Sequence, residues 1–308
     1  MIPHTTPGAW PADIPAARFA SQVQRDRPDT CRVALLGIPQ DLGVRLNNGR
    51  PGASEGPREF RRALARLGVA HPDGHDWPRV FDAGDVVPAT FEGPASLDNS
   101  DAIAALHETH RRISEASLAI ADAGLLPFAI GGGHDSTFAF VRGVHQHLRS
   151  PLAGLYFDPH LDVRETPGSG MGFRRLVEVG AAESLSIVGF DPFVNSREHA
   201  AWFREHAGQV LDPTGPLQLP QGRPLFVSVD LDSIDASCAP GVSAMNPCGL
   251  SPSQLVLWIE AAAAHPRLAC FDIMELSPAN DPDGRTARLA AYLFLTFLRA
   301  LPPGQVLT

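Results

Sequence analysis

From Arg32 onward the chain alternates two patterns: short unbroken apolar runs, and longer stretches in which apolar residues return every three or four positions. The runs are RVALLGI, RVFDAG, LLPFAIGGG, AGLYFD, LSIVGF, LFVSVDLD and LACFDIMEL. Their length and lack of alternation predict strands covered on both faces. The helical spacing predicts helices over 58–67, 101–123, 137–148, 196–206, 252–265 and 286–301. In the last of these Leu289, Leu293, Phe294, Phe297 and Leu301 share one face, which must be buried. Strand alternating with helix requires crossover connections. The expected architecture is therefore α/β, a three-layer αβα sandwich with a mostly parallel central sheet. Residues 1–30 are rich in Pro and Ala and weakly periodic, which predicts an extended arm, with 31–308 forming one domain.

Composition narrows the function classes. With 44% hydrophobic and 19% charged residues the chain can build a large core. A net charge of -9 disfavours nucleic acid and anionic membranes as partners, since both select clustered Lys and Arg. There is no basic start leading into an apolar stretch, and no apolar run reaches the roughly 18 residues of a membrane span, so a cytoplasmic location is expected. Cys31, Cys238, Cys248 and Cys270 lack CxxC spacing and are expected to be small buried hydrophobes.

The chemistry stands where apolar runs stop, at the carboxyl ends of the expected parallel strands, where α/β sheets carry their sites. DPHLD closes AGLYFD and sets Asp158, His160 and Asp162 on one side of an extended chain. Asp230 and Asp232 close LFVSVDLD in the same manner, and His134 follows a third run in GGGHDS. A lone DxD is commonly a solvated turn, and a lone buried His is commonly a satisfied core group. Four carboxylates and two imidazoles converging from three strand ends would repel one another unless cations neutralise them. Oxygen donors with two imidazoles and no thiolate favour two manganese ions, with iron, cobalt and zinc as other ions this set accepts. Two ions about 3.5–4 Å apart would share Asp158 and Asp230 as bridges, and a water between them would ionise near neutral pH.

These residues resemble the ureohydrolase (arginase and agmatinase) superfamily, whose signature elements appear in order as GGGHDS, DPHLD and SVDLDSIDASCAPG. NNGRPGASEGPREFRRAL, DAGDV and DIMELSP extend the likeness over most of the chain, and GVRLNNGRPGASEGP, APGVSA and GSGMGFRRL are most similar to formimidoylglutamases. The resemblance implies that His134, Asp158, Asp162 and Asp230 hold one ion and Asp158, His160, Asp230 and Asp232 the other. It also implies that Glu275 in DIMELSP faces a cationic amidine or guanidine; the bland alternative is a strand-end cap or a partner for a surface Arg. Two departures stand out. Pro159 replaces the alanine common in DAHxD, and Ser169 or Phe173 stands where a proton-shuttling histidine would be sought. The second departure points away from arginine and agmatine.

The implied reaction is hydrolysis of a linear amidine C–N bond, N-formimidoyl-L-glutamate giving L-glutamate and formamide, a step of histidine degradation. Attack on the planar carbon would be followed by delivery of a proton to the leaving nitrogen through Asp162. A substrate carboxylate calls for a bidentate arginine, and Arg45, Arg50, Arg164 and Arg174 all lie in segments near the motifs, with Ser169 as a further substrate contact. The nearest rival activity is hydrolysis of a guanidino acid or of arginine itself. A non-catalytic metal-binding homologue is disfavoured by the intact ligand set, and a phosphoryl-transfer enzyme by the lack of a phosphate cradle. The family also implies a homo-oligomer.

Overall fold

The structure is a computed structural model, and it describes residues 2–26, 28–68, 70 and 76–304. Met1, Arg27, Val69, 71–75 and 305–308, which fall within the expected arm and domain, lie outside the described residues. The apolar runs form strands: β2 (Val33–Ile38), β3 (Val80–Val86), β4 (Leu126–Gly131), β5 (Leu152–Phe157), β6 (Ala182–Val188), β8 (Leu225–Asp230) and β9 (Leu268–Met274). Every residue of β2, β4, β5, β8 and β9 is buried, which is why these runs show no polar alternation. Two short strands, β1 (Thr5–Thr6) and β7 (Gly208–Leu211), lie at the two edges. The sheet has nine strands in the order β1-β3-β2-β4-β9-β8-β5-β6-β7, with β1 antiparallel to β3 and the other pairings parallel.

The helices are α1 (Leu42–Leu46), α2 (Gly56–Leu64), α3 (Ser100–Asp122), α4 (Asp135–Leu148), α5 (Gly172–Glu178), α6 (Arg197–Glu205), α7 (Pro252–Ala263) and α8 (Arg285–Ala300). Helices α2, α7 and α8 cover one face of the sheet. There Phe60, Trp258, Phe294 and Phe297 pack on Phe128, Val227 and Phe271. On the other face Ile113 of α3, Phe138 and Val144 of α4, Phe173 of α5 and Phe203 of α6 pack on Leu36, Tyr156, Phe226 and Cys270. This is the expected three-layer αβα sandwich. Helix α8 buries Leu293, Phe294 and Phe297, and Leu301 just beyond it, while Leu289 is half-buried at the margin.

The described part of the N-terminal arm is woven into the body. Thr5 and Thr6 pair with Asp85 and Val86, and Trp10 Nε1 donates to Asp82 Oδ2 at 2.6 Å. Asp82 is also held by the buried Arg61 at 2.8 Å, whose other nitrogen reaches Asp85 at 2.6 Å. Phe19 is buried in the core under α8, a burial that contributes about 1.5–3 kcal/mol. One expectation needs correcting. Of the four cysteines only Cys270 is buried; Cys31 and Cys238 are half-buried, and Cys248 is exposed on the loop before α7.

Candidate metal centre

The sheet order places β4, β9, β8 and β5 side by side, and all four run the same way. Phe157 is in register with Val229, and Asp230 with Met274, so Asp158, Asp230 and Glu275 emerge at one level. His134 enters from the turn between β4 and α4. That turn is tight: a Cβ on Gly132 would lie 1.6 Å from the Gln40 carbonyl oxygen, so only glycine fits there. Asp162 (φ 49) and Glu275 (φ 65) adopt left-handed backbone conformations without being glycine, a strain of about 1–3 kcal/mol each that the surrounding fold sustains.

All six expected ligands converge. His134 Nδ1 lies 3.0 Å from Asp158 Oδ2, 3.0 Å from Asp162 Oδ2 and 3.2 Å from Asp230 Oδ2. His160 Nδ1 lies 3.2 Å from Asp158 Oδ1 and 3.3 Å from Asp232 Oδ2. The two oxygens of Asp158 thus face different imidazoles and divide the cluster into two groups, His134–Asp158–Asp162 and Asp158–His160–Asp232. Asp230 sits with the first group through Oδ2, while its Oδ1 accepts from the Asp232 amide at 2.8 Å.

The donor set fits divalent cations on an internal test. His134 Nδ1, Asp158 Oδ2 and Asp232 Oδ1 are buried and have no hydrogen-bond partner. Leaving such atoms unpaired costs about 1–3 kcal/mol apiece unless a cation meets them. The titration behaviour says the same. Burial raises Asp158, with Asp162 and Asp230 adding to the rise; burial and the neighbouring carboxylates push Asp230 to about 7 and Asp232 to about 6. Burial works to lower both histidines, yet the carboxylates prevail, holding His134 well above its usual value and His160 up at about 12. Negative charge is in excess here, and only protons or metal can balance it.

A cleft of about 150 Å³ opens over the cluster, lined by His134, His160, Asp162, Asp230, Asp232 and Glu275 below and by Asn47, Arg164, Ser169, Asn195, His199 and Ser243 above. Glu275 Oε1 accepts from the His134 amide at 3.0 Å and its Oε2 has no partner. Burial, with Asp230 beside it, pushes Glu275 up to about 8, so a cationic substrate end would restore its charge. The four arginines separate. Arg164 lines the cleft. Arg50 donates to the carbonyls of Ser243 (2.9 Å) and Val242 (2.8 Å), bracing the loop that carries Ser243. Arg174 is held by Glu165 (2.7 Å) and Glu178 (2.8 Å) over the Trp202 ring. Arg45 pairs with Asp41 at 3.5 Å and lines a different depression, with Phe91 and Thr109. Arg45 and Arg174, expected as substrate contacts, are thus each paired with carboxylates and do not line this cleft.

Phe173, one of the two residues sought in place of a shuttling histidine, is core. Its ring stacks on Tyr156 at 3.8 Å between centroids and meets the edge of His134 at 5.2 Å. Ser169 does line the cleft, where in the orientation that satisfies its neighbours the Asn47 side-chain oxygen accepts from Ser169 Oγ at 3.0 Å and from the Gly170 amide at 2.8 Å. Sequence reasoning missed Asn47, Asn195 and His199. Asn195 is the tie that holds the DPHLD loop, donating to the Pro159 carbonyl at 2.7 Å and accepting from the Leu161 amide at 2.9 Å. His199, on the first turn of α6, is lowered by burial and by Arg164.

Parallel strands ending in a shared carboxylate–imidazole cluster define an α/β protein built to hold a pair of cations. The sequence pattern of the arginase family matches residues 31–299, and the chain belongs to that family. It is 35% identical to the formimidoylglutamase of Aromatoleum aromaticum over 300 residues, covering 87% of this chain and 83% of that one. It is 30% identical to the mitochondrial guanidino acid hydrolase of Homo sapiens over 304 residues, covering 89% and 80%. Its fold superposes on Trypanosoma cruzi formiminoglutamase crystallised with Mn2+ at a TM-score of 0.82 and 27% identity, spanning 94% of this chain and 100% of that chain.

Proposed function

We propose that this protein hydrolyses the C–N bond of a linear amidine, N-formimidoyl-L-glutamate, giving L-glutamate and formamide, at a centre of two manganese ions. The observation that carries the reading is the split carboxylate of Asp158, with one oxygen 3.0 Å from His134 Nδ1 and the other 3.2 Å from His160 Nδ1. His134, Asp158, Asp162 and Asp230 would hold one ion and Asp158, His160, Asp230 and Asp232 the other. Bound there, the pair would supply Lewis-acid polarisation and a water acidic enough to ionise near neutral pH.

The chain's own residues do the rest. Glu275 receives the cationic amidine end, oriented by the His134 amide at its other oxygen. Arg164 meets a substrate carboxylate at the cleft mouth, with Ser169 beside it and Arg50 bracing the opposite loop. Asp162, at the floor of the cleft, carries a proton to the leaving nitrogen. The substrate supports a place in histidine degradation. The net charge of -9 supports a small-molecule partner, with neither nucleic acid nor membrane, and the reading extends to a cytosolic homo-oligomer.

The test is a substrate panel with purified, manganese-loaded protein. Formamide and glutamate released one to one from formimidoylglutamate is the expected result. Urea from a guanidino acid, with no turnover of formimidoylglutamate, would replace this reading with that of a guanidino acid hydrolase, the activity for which the 30% identical human relative is named.

A further inference from the structure

Beneath His134 lies a buried polar relay whose members do not line the cleft. His134 Nε2 is 2.9 Å from Ser228 Oγ, and Ser228 Oγ donates to Asp272 Oδ1 at 2.5 Å. Thr137 Oγ1 approaches the same serine oxygen at 3.2 Å. Ser228 and Asp272 are fully buried on adjacent strands, in register with each other on β8 and β9. A hydroxyl has one proton and two lone pairs. With its proton committed to Asp272, Ser228 Oγ can only accept, so the imidazole must carry its proton on Nε2. That leaves His134 Nδ1, which faces three carboxylate oxygens at 3.0–3.2 Å, as the ring atom whose proton an incoming cation displaces and whose lone pair it takes.

We propose that Ser228 and Asp272 are positioning residues which fix the tautomer and orientation of His134 and so set the affinity of the ion that His134 holds, leaving the ion on the His160 side unaffected. His160 makes no contact with this relay: its Nδ1 faces Asp158 and Asp232. The two ions should therefore be unequal in their sensitivity to residues that touch neither. The inference rests on the two-metal reading above.

The experiment titrates metal-free protein with Mn2+ by calorimetry, alongside electron paramagnetic resonance, for the wild type, Ser228→Ala, Asp272→Ala and Asp272→Asn. Wild type should take two ions and give the signal of a coupled pair. Ser228→Ala and Asp272→Ala should each weaken one of the two steps by about 10–100-fold and leave the other in place. At intermediate loading they should show the six-line signal of an isolated ion. Asp272→Asn keeps an acceptor oxygen for the serine and should lose less than Asp272→Ala. If Ser228→Ala fails to fold, as judged by circular dichroism of the metal-free protein, Asp272→Ala reads the relay from its far end. Two ions in wild type with both steps unchanged in the folded variants overturns the relay; so does equal weakening of both steps. Fewer than two ions in wild type overturns the two-metal reading itself, and this inference with it.

Discussion

At the scale of single residues the site is a charge problem with a geometric answer. Asp158→Asn removes charge from the residue that both groups share, and should cut activity at least about 100-fold and lower the bound manganese, measured by elemental analysis after gel filtration. Glu275→Gln should keep its manganese. It loses one charge-assisted hydrogen bond to the substrate, worth about 1.5–3 kcal/mol, so kcat/KM should fall about 10–150-fold. Normal kcat/KM in Glu275→Gln would remove that residue from substrate binding. The protonation pattern sets a sign for pH. Without metal, His160 is held up at about 12, Asp230 at about 7 and Asp232 at about 6. All three are raised in the folded state, so the stability they contribute is complete below their unfolded values and is lost as pH rises through the folded ones. The metal-free protein should therefore melt progressively lower from pH 5 to 8. Manganese must displace those protons, so its affinity should rise over the same window, with proton release visible as a buffer-dependent binding enthalpy. A pH-independent affinity would contradict the protonated cluster.

At the scale of elements, stability and chemistry can be separated. Helix α7 begins with a full capping box, Ser251 Oγ accepting from the Gln254 amide and the Gln254 side chain accepting from the Ser251 amide, far from the cleft. Ser251→Ala should lower stability by about 1 kcal/mol in denaturant titration and leave kcat/KM unchanged. Gly132→Ala acts on the β4–α4 turn, where the added methyl meets backbone at 1.6 Å; it should displace His134 and cost both folding yield and manganese. The long elements were legible because their patterns are strong: buried β2, β4, β5, β8 and β9 read as unbroken apolar runs, and α8 showed its face. Short elements were not. Helix α5 opens on glycine after a Gly-rich loop, and edge strand β7 has Gln209 and Val210 exposed, so neither repeats a pattern long enough to detect. The six clustered residues were legible because each sits within five residues of a strand end, where local sequence dictates position. The direction of Arg45 and Arg174, and the arrival of Asn195 and His199 over the cluster, depend on how helices and loops dock, which no local spacing encodes.

At the scale of the whole molecule, arm, sheet and cleft form one device. The arm closes the β3 edge and buries Phe19, while three central strands deliver the carboxylate–imidazole cluster and a fourth delivers Glu275 to a single rim. No helix among the described residues is long and apolar enough to cross a membrane. Light scattering tests the proposed homo-oligomer, with a monomeric mass counting against it. The claim on which everything else depends is that Asp158 sits between two ions. Crystals of manganese-loaded protein measured at the manganese absorption edge test it most directly. The account predicts two anomalous peaks, each in contact with one oxygen of Asp158, one beside His134 Nδ1 and the other beside His160 Nδ1. A single peak, or a pair that Asp158 does not join, would contradict it.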